Sequence, residues 1–206
     1  MAALRPLLNR SFTWLLAAAL LAALLLPSTP AAAAEPTGAV ILVAKRQLTD
    51  PFYRHTVLLA RPIGGDQHIG FILNRPSKLT LGELFPEHAP SRKVTAPVFV
   101  GGPTSASVIF ALVRSHASPG GKSFRMMPGV FMAFEGDTVD HIIETDPSHA
   151  RFVAGLVSWR PGELRAEIRR GAWYVLHADP ALILRKPTDG LWEELLRRAK
   201  VAADAI

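Results

Sequence analysis

The chain has 206 residues, of which 49% are hydrophobic and 19% charged, the composition of an ordinary globular domain with a sizeable core. Its 23 basic and 17 acidic residues give a net charge of +6, which by itself does not indicate a nucleic-acid-binding protein. The chain contains no cysteine, and this excludes disulfides, thiolate metal sites and a cysteine nucleophile.

Residues 1–34 have the order of a secretory signal peptide. Arg5 and Arg10 precede an apolar run over residues 12–26, and a run of alanines ends at Ala34 with an A-x-A cleavage pattern. The apolar run is shorter than the roughly 20 residues that a membrane-spanning helix needs. We therefore expect cleavage after Ala34 and a periplasmic or secreted protein. An uncleaved membrane anchor and a misassigned start codon are the alternatives.

Residues 35–206 are predicted to form one domain, because they contain no internal repeat and no low-complexity tract. Short apolar runs bounded by turn-forming residues are typical of strands. Six such runs lie at Ala39–Ala44, Thr56–Ala60, Ile69–Leu73, Pro97–Val100, Val108–Arg114 and Val130–Phe134. Pro76 is expected to end the third strand sharply, since proline cannot continue a strand ladder.

Helices are predicted where a capping residue or an amphipathic pattern is present. These segments are Thr80–Leu84, Thr138–Glu144 and Leu191–Lys200. Trp159, Trp173 and Trp192 each adjoin apolar residues, and we expect them to anchor the core rather than to stack on a nucleic acid.

One complete unit of strand, helix and strand can be identified in the second half of the chain. Phe152–Val157 is an almost unbroken apolar run, of the kind that is buried on both faces. Pro161 suits the first position of the helix that follows. Gly171 suits the end of that helix, where a left-handed residue is favoured, and Trp173–Leu176 resumes as strand.

The same unit resembles the signature of a known family. From Gly155 to Trp173 it reads Gly-x-x-x-Trp, then Gly-x-Leu-x-x-Glu-Ile and Gly-x-Trp, which is similar to the AlgH/YqgE family. Three more blocks resemble that family, at residues 50–54, 70–76 and 98–103. The resemblance implies a single-domain α+β fold with a mostly antiparallel, partly barrel-like sheet flanked by helices. It implies no reaction, and it carries a loose association with transcriptional regulation.

Polar groups gather at the predicted strand ends without a set of nucleophile, base and orienting residue. We therefore expect a non-enzymatic binding or accessory protein with no catalytic residues. The candidate ligand-binding rim consists of Arg54, Asn74, Arg75, Gly101, Gly102, Trp159 and Glu163. The amides of a Gly-Gly turn beside an arginine favour a small anionic ligand, with an unknown protein partner as the alternative. The competing interpretation is that these residues only shape turns and that Arg75 pairs with a carboxylate.

Two other functions are weighed against this one. His55 and Asp50 could form the acid–base pair of a hydrolase, but no serine has the small flanking residues of a nucleophile elbow. The arginines around Arg165 and Arg198 could contact nucleic acid in a cytoplasmic transcription-associated regulator. Interleaved glutamates favour a salt-bridged surface instead. The scattered histidines and the lack of a Gly-x-Gly-x-x-Gly motif predict neither a metal nor a cofactor.

Overall fold

The structure, a computed structural model, describes residues 38–204 of the chain. The predicted signal peptide therefore lies outside the described residues. Among residues 38–204, no helix combines the length and the apolar character needed to cross a bilayer.

Ten strands build the sheet within the described residues. They are β1 Val40–Ala44, β2 Val57–Gly64, β3 Gln67–Ile72, β4 Pro76–Thr80, β5 Pro97–Val100, β6 Thr104–Arg114, β7 Ser123–Met127, β8 Val130–Ala133, β9 Ala150–Trp159 and β10 Trp173–His177. All the strands expected from the sequence are present. Two strands were not predicted. β4 was missed because Pro76 indicated the end of a strand, and β7 because its sequence, SFRMM, follows a loop rich in serine and glycine and shows no clear alternation.

Five α-helices accompany the sheet in this part of the chain, and two short 3-10 turns lie between them. The helices are α1 Leu81–Leu84, α2 Gly136–Thr145, α3 Glu163–Arg169, α4 Pro180–Ile183 and α5 Leu191–Asp204, and the 3-10 turns are Ser91–Lys93 and Pro147–His149. Thr80 caps α1 through a reciprocal capping box with Glu83, as its position in the sequence predicts.

The sheet is mostly antiparallel and curls into a half-barrel, which confirms the predicted fold class. Its order is β10-β1-β2-β3-β9-β6-β8-β7, and each neighbouring pair is antiparallel. β5 joins β9 in a parallel pairing, and β4 pairs only with β5. β3 ends at Ile72, and Pro76 begins the edge strand β4. Proline is tolerated at the first residue of an edge strand, because no ladder hydrogen bond needs its missing N–H there.

β9 is the central strand, and its two faces belong to two hydrophobic clusters. Val153 and Val157 point into the larger cluster, which also contains residues of β1, β2, β3 and α5. Ala150 and Phe152 point into the smaller one, which α2 covers. The prediction of a strand buried on both faces is confirmed, because successive side chains of a strand alternate between its faces.

Candidate functional site

The unit formed by β9, α3 and β10 brings two buried indoles to one carboxylate. Trp159 is the last residue of β9 and Trp173 the first of β10, and these side chains are only 5% and 4% exposed. Their Nε1–H groups both donate to Oε2 of Glu167, at 3.0 and 2.8 Å. One helix residue thus satisfies the indole donors of the two strands that flank it.

The geometry of α3 explains why Glu167 reaches both indoles. The helix begins at Glu163 rather than at Pro161, since Gly162 precedes it with a left-handed φ of 77°. Leu164, on the first turn, is buried against the core. Glu167 comes three residues later and therefore lies on the same side of the helix. Gly171, with φ 80°, follows the helix in a left-handed conformation, as the sequence predicts.

A cavity of about 420 Å³ opens beside this carboxylate. Its polar and aromatic lining consists of Gln47, Asp50, Tyr53, Trp159, Glu167, Arg170 and Trp173. Lys45, just after β1, donates its N–H to the carbonyl of Ala172 at 2.9 Å and so holds the loop after β1 next to the start of β10. We call this space the indole cavity. Its volume lies within the range of small-molecule binding sites.

Gly70 in β3 makes room for one wall of the indole cavity. A Cβ atom at this position would lie 2.9 Å from the ring of Trp159 and 2.5 Å from the carbonyl oxygen of Leu59. Because Trp159 crosses β3 at this point, any larger residue would push its ring out of place. The family-like Gly70 block therefore has a packing role at this site.

Tyr53 reaches the indole cavity from a tight turn between β1 and β2. Oδ1 of Asp50 accepts hydrogen bonds from the amides of Phe52 and Tyr53, at 2.8 and 3.0 Å. The Tyr53 ring meets Trp173 edge to face, with 6.3 Å between ring centroids. The turn thus places a phenol beside the indoles and points its sequence neighbour Phe52 toward Arg75.

The electrostatic environment of Tyr53 is negative. Burial raises the pKa of its phenol, and three carboxylates raise it further, namely Glu167, Asp50 and Glu163. The Arg75 guanidinium opposes them and is the smallest influence on this pKa. Tyr53 therefore remains a neutral hydrogen-bond donor at the edge of an acidic cavity.

The predicted rim is only partly brought together. Trp159 lines the indole cavity, whereas Glu163 accepts the amide of Arg160 at 2.9 Å and so fixes the turn before α3. Arg75 lies over the ring of Phe52, 5.0 Å from its centroid, and burial lowers its pKa. Arg54 is exposed on the turn.

Asn74, Gly101 and Gly102 are used within the fold. Asn74 accepts the amide of Val57 and donates to the carbonyl of His55, both at 2.9 Å, and so ties the end of β3 to the start of β2. The Gly101 amide donates to the carbonyl of Ala154 at 2.8 Å, so it is not available to an anion.

The same two glycines let the chain cross β9 at close range. A Cβ on Gly102 would lie 2.1 Å from the carbonyl carbon of Leu156. One on Gly101 would lie 2.3 Å from the carbonyl oxygen of Gly155. The interpretation that these glycines shape the backbone has a direct physical basis in this crossing.

His55 and Asp50, the acid–base pair of the hydrolase alternative, are not joined in the structure. The His55 ring packs against Trp192, with 4.2 Å between centroids, and no hydrogen bond joins it to Asp50 among the described residues. The hydroxyl of Ser158 faces that of Thr104 at 3.2 Å. Over the same residues, no three His, Asp or Glu side chains are grouped to hold a metal ion.

Acidic partners offset part of the predicted basic surface. Arg165 pairs with Asp66 at 3.1 Å, and Arg198 pairs with Glu194 at 2.6 Å. Glu194 also accepts a hydrogen bond from Arg185 at 2.6 Å. The salt-bridged surface expected from the interleaved glutamates is thus present around α5.

Sequence reasoning missed Glu167, Tyr53 and Arg170 as lining residues. Glu167 is one of the interleaved glutamates that were expected to form a solvated, salt-bridged surface, together with Glu163, Glu193 and Glu194. A signal was available, because Glu167 adjoins the apolar stripe of Leu164 and Ile168 and lies between two tryptophans in the sequence. An acid at the border of an apolar stripe, flanked by indole donors, is a candidate for a half-buried hydrogen-bond acceptor.

A family model described as AlgH-like matches residues 41–204. A UPF0301 protein of Thermobifida fusca is 36% identical over 171 residues, which cover 79% of this chain and 86% of the relative. A UPF0301 protein of Mycobacterium ulcerans is 31% identical over 170 residues, covering 81% and 85%. These names state neither an activity nor a ligand.

Two solved structures share the fold. The solution structure of the AlgH protein from Pseudomonas aeruginosa matches with a TM-score of 0.67 at 24% identity, covering 80% of this chain and 90% of that one. The crystal structure of a protein from Corynebacterium diphtheriae matches with a TM-score of 0.66 at 23% identity, covering 80% and 88%. At these identities the likeness is one of fold.

Proposed function

We propose that this chain, which belongs to the AlgH-like family, is a non-enzymatic binding or accessory protein that acts outside the cytoplasm through the indole cavity. The family membership predicted from the sequence motifs is confirmed, and the biochemical role is our inference from the geometry. One observation carries it: a cavity of about 420 Å³ lies beside a half-buried carboxylate that two buried tryptophans orient.

A buried aromatic wall with a reachable polar atom supports binding. Oε2 of Glu167 is held by the two indole donors, whereas Oε1 receives no hydrogen bond from the described residues. Glu167 is half-buried and lines the cavity, so Oε1 remains open to a ligand or to water. Binding sites typically combine an apolar wall with a few oriented polar groups, as this cavity does.

The indole N–H groups provide the test of binding. A panel of small cations, anions and neutral molecules is added, one compound at a time, to the ¹⁵N-labelled protein, and the tryptophan side-chain signals are followed in ¹H–¹⁵N spectra. We expect at least one member to shift the Trp159 and Trp173 signals saturably. The Trp192 signal should stay in place, because its N–H is bonded to the carbonyl of Ala44 in the core at 2.8 Å.

A pair of identical substitutions controls that measurement. Glu167→Gln changes the cavity, whereas Glu193→Gln makes the same change on the exposed side of α5. Binding should respond to the first and not to the second. If no member of the panel moves the cavity indoles, or if all tryptophan signals move together, the binding role is wrong.

Export is tested separately by cell fractionation with the intact mass of the recovered chain. A protein found outside the cytoplasm and beginning at or near Glu35 would support signal cleavage and an extracytoplasmic role. A full-length cytoplasmic protein would overturn export and would favour the alternative of a transcription-associated regulator. A steep loss of DNA affinity with added salt would then be expected of that regulator.

A further inference from the structure

We infer that the indole cavity binds an organic cation, with the Glu167 carboxylate as the counter-ion of an amine or quaternary ammonium group. This inference rests on the proposed binding function and names the chemical class of its ligand. It differs from the small anion that the Gly-Gly turn suggested, since the groups that line the cavity favour the opposite charge.

The first reason is that Glu167 lacks a cationic partner. Within residues 38–204 no lysine, arginine or histidine forms an ion pair with it, and its two hydrogen bonds come from neutral indoles. A half-buried carboxylate loses part of its hydration, and neutral donors offset only part of that loss. A cation in the cavity would supply the remaining stabilisation.

The second reason is the acidic balance around the cavity. Asp50 lines it together with Glu167, and Glu163 lies near enough for its charge to act on Tyr53. The opposing charge in the lining is that of Arg170, and Arg170, Asp50 and Glu163 are all exposed and therefore screened by solvent. Glu167 is half-buried, so the least screened charge of the lining is negative.

The third reason is the aromatic wall. Tyr53, Trp159 and Trp173 all line the cavity, and the rings of Tyr53 and Trp173 meet edge to face. Aromatic faces attract cations, and aromatic cages are a known means of recognising quaternary ammonium groups. Aromatic groups with a carboxylate therefore suit an organic cation better than a metal ion.

The experiment compares choline chloride with two probes of similar size. One is the neutral alcohol in which carbon replaces the choline nitrogen, and the other is acetate. We expect choline to shift the Trp159 and Trp173 indole signals at concentrations about tenfold lower than the neutral alcohol does. Acetate should leave these signals unchanged.

Two variants of opposite charge sharpen the result. Glu167→Gln keeps an oxygen acceptor for the indoles and should weaken choline binding about tenfold. Arg170→Gln removes a positive charge from the same cavity and should tighten choline binding modestly, because the screened repulsion of the cation is lost. A loss of binding in both variants would point to structural damage of the site and would contradict the role of charge.

The outcomes separate this inference from the proposed function. If the neutral alcohol binds as well as choline, or if acetate binds instead, the cavity is a binding site but its preference for cations is wrong. If choline and the other cations of the broader panel leave the cavity indoles unchanged while a neutral or anionic member shifts them, the organic-cation inference fails and the binding function stands.

Discussion

Glu167, which is half-buried, and Arg151, which is buried, have no oppositely charged partner among residues 38–204, and their surroundings differ. Glu167 faces a cavity and keeps one oxygen free of described protein partners. Arg151 in β9 is only 1% exposed and donates to the carbonyls of Leu73 and Arg185, while its guanidinium lies 4.3 Å from the centroid of Phe99. The carboxylate is accessible to a ligand, whereas the guanidinium is buried in the core.

This difference in accessibility makes Glu167 a candidate binding group and Arg151 a structural one. Burial lowers the pKa of Arg151 to about 10, which records the cost of placing its charge away from water. Lys186 donates to the carbonyl of Ala150 at 2.9 Å, and burial, with the charge of Arg151, lowers its pKa as well. Backbone carbonyls therefore take the place of an anion on this side of the molecule, and they connect β9 to two distant segments.

The largest expected effect comes from Arg151→Ala. The change leaves two carbonyls without a donor, at about 1–3 kcal/mol each, and leaves a void in the core. Relief of the buried charge returns about 3 kcal/mol, since one pKa unit corresponds to about 1.4 kcal/mol. We expect a net loss of about 3 kcal/mol in the free energy of unfolding, measured by urea denaturation.

Arg151→Met is the matched control for that loss. Methionine fills most of the void and carries no charge, so the variant should lose only about 1 kcal/mol. If methionine destabilises the protein as much as alanine does, the hydrogen bonds of the guanidinium outweigh its packing. The buried guanidinium of Arg151 would then stabilise the fold through its hydrogen bonds and not mainly through the volume that it fills.

A smaller effect is expected for Glu167→Ala. The change removes the acceptor of both indoles, but water in the adjacent cavity can hydrate the freed N–H groups. We therefore expect a loss of about 1–2 kcal/mol, less than for Arg151→Ala. Glu167→Gln retains an acceptor oxygen and should lose less than 1 kcal/mol, roughly the size of one neutral hydrogen bond. Equal losses for the Ala variants of both sites would contradict the idea that the cavity is hydrated.

The smallest expected effect is a shift in the titration of Tyr53. The sequence contains 2 tyrosines, so Tyr174→Phe leaves Tyr53 as the only phenol. Its ultraviolet titration should have a midpoint above the ordinary pKa of 10, because burial and then the Glu167 carboxylate raise this pKa. Adding Glu167→Gln should lower the midpoint. A midpoint at or below 10 would contradict the negative environment of the cavity.

The same shift has a defined sign for stability. The pKa of Tyr53 is higher in the folded chain than in the unfolded chain, so the folded chain binds more protons near pH 10. The contribution of Tyr53 to stability is fully present below its ordinary pKa. It is lost as the pH rises from that value through the folded-state pKa.

Much of the fold could be predicted from local patterns. The apolar runs identified β1, β2, β3, β5, β6, β8 and β9, because buried strands need continuous or alternating apolar residues. The cap at Thr80 and the left-handed Gly171 could also be predicted locally. A threonine side chain can accept a hydrogen bond from the first turn of the helix that follows it, and glycine adopts a left-handed conformation without a steric cost. The start of α3 was predicted two residues too early, because Gly162 interrupts the turn after Pro161.

Less of the candidate site than of the fold could be predicted from local patterns. Trp159 was predicted as part of it, whereas Gly101 and Gly102 let two backbone segments cross and Asn74 ties β3 to β2. The competing interpretation had given these residues a role in shaping turns, but their long-range partners could not be read from a local pattern. Glu167 has the sequence context of a surface glutamate, and only the approach of two strand ends makes it an acceptor for two indoles.

The sequence by itself determined most of the strands, several helix ends and the family, because these depend on periodicity, caps and motifs that lie close together along the chain. The tertiary structure alone decided which charges lack a partner. Arg151 meets the carbonyls of Leu73 and Arg185 only after three separated segments have packed together. Whether a charged side chain is sealed or accessible depends on such long-range packing, since burial is a property of the assembled core and not of a residue's neighbours in sequence.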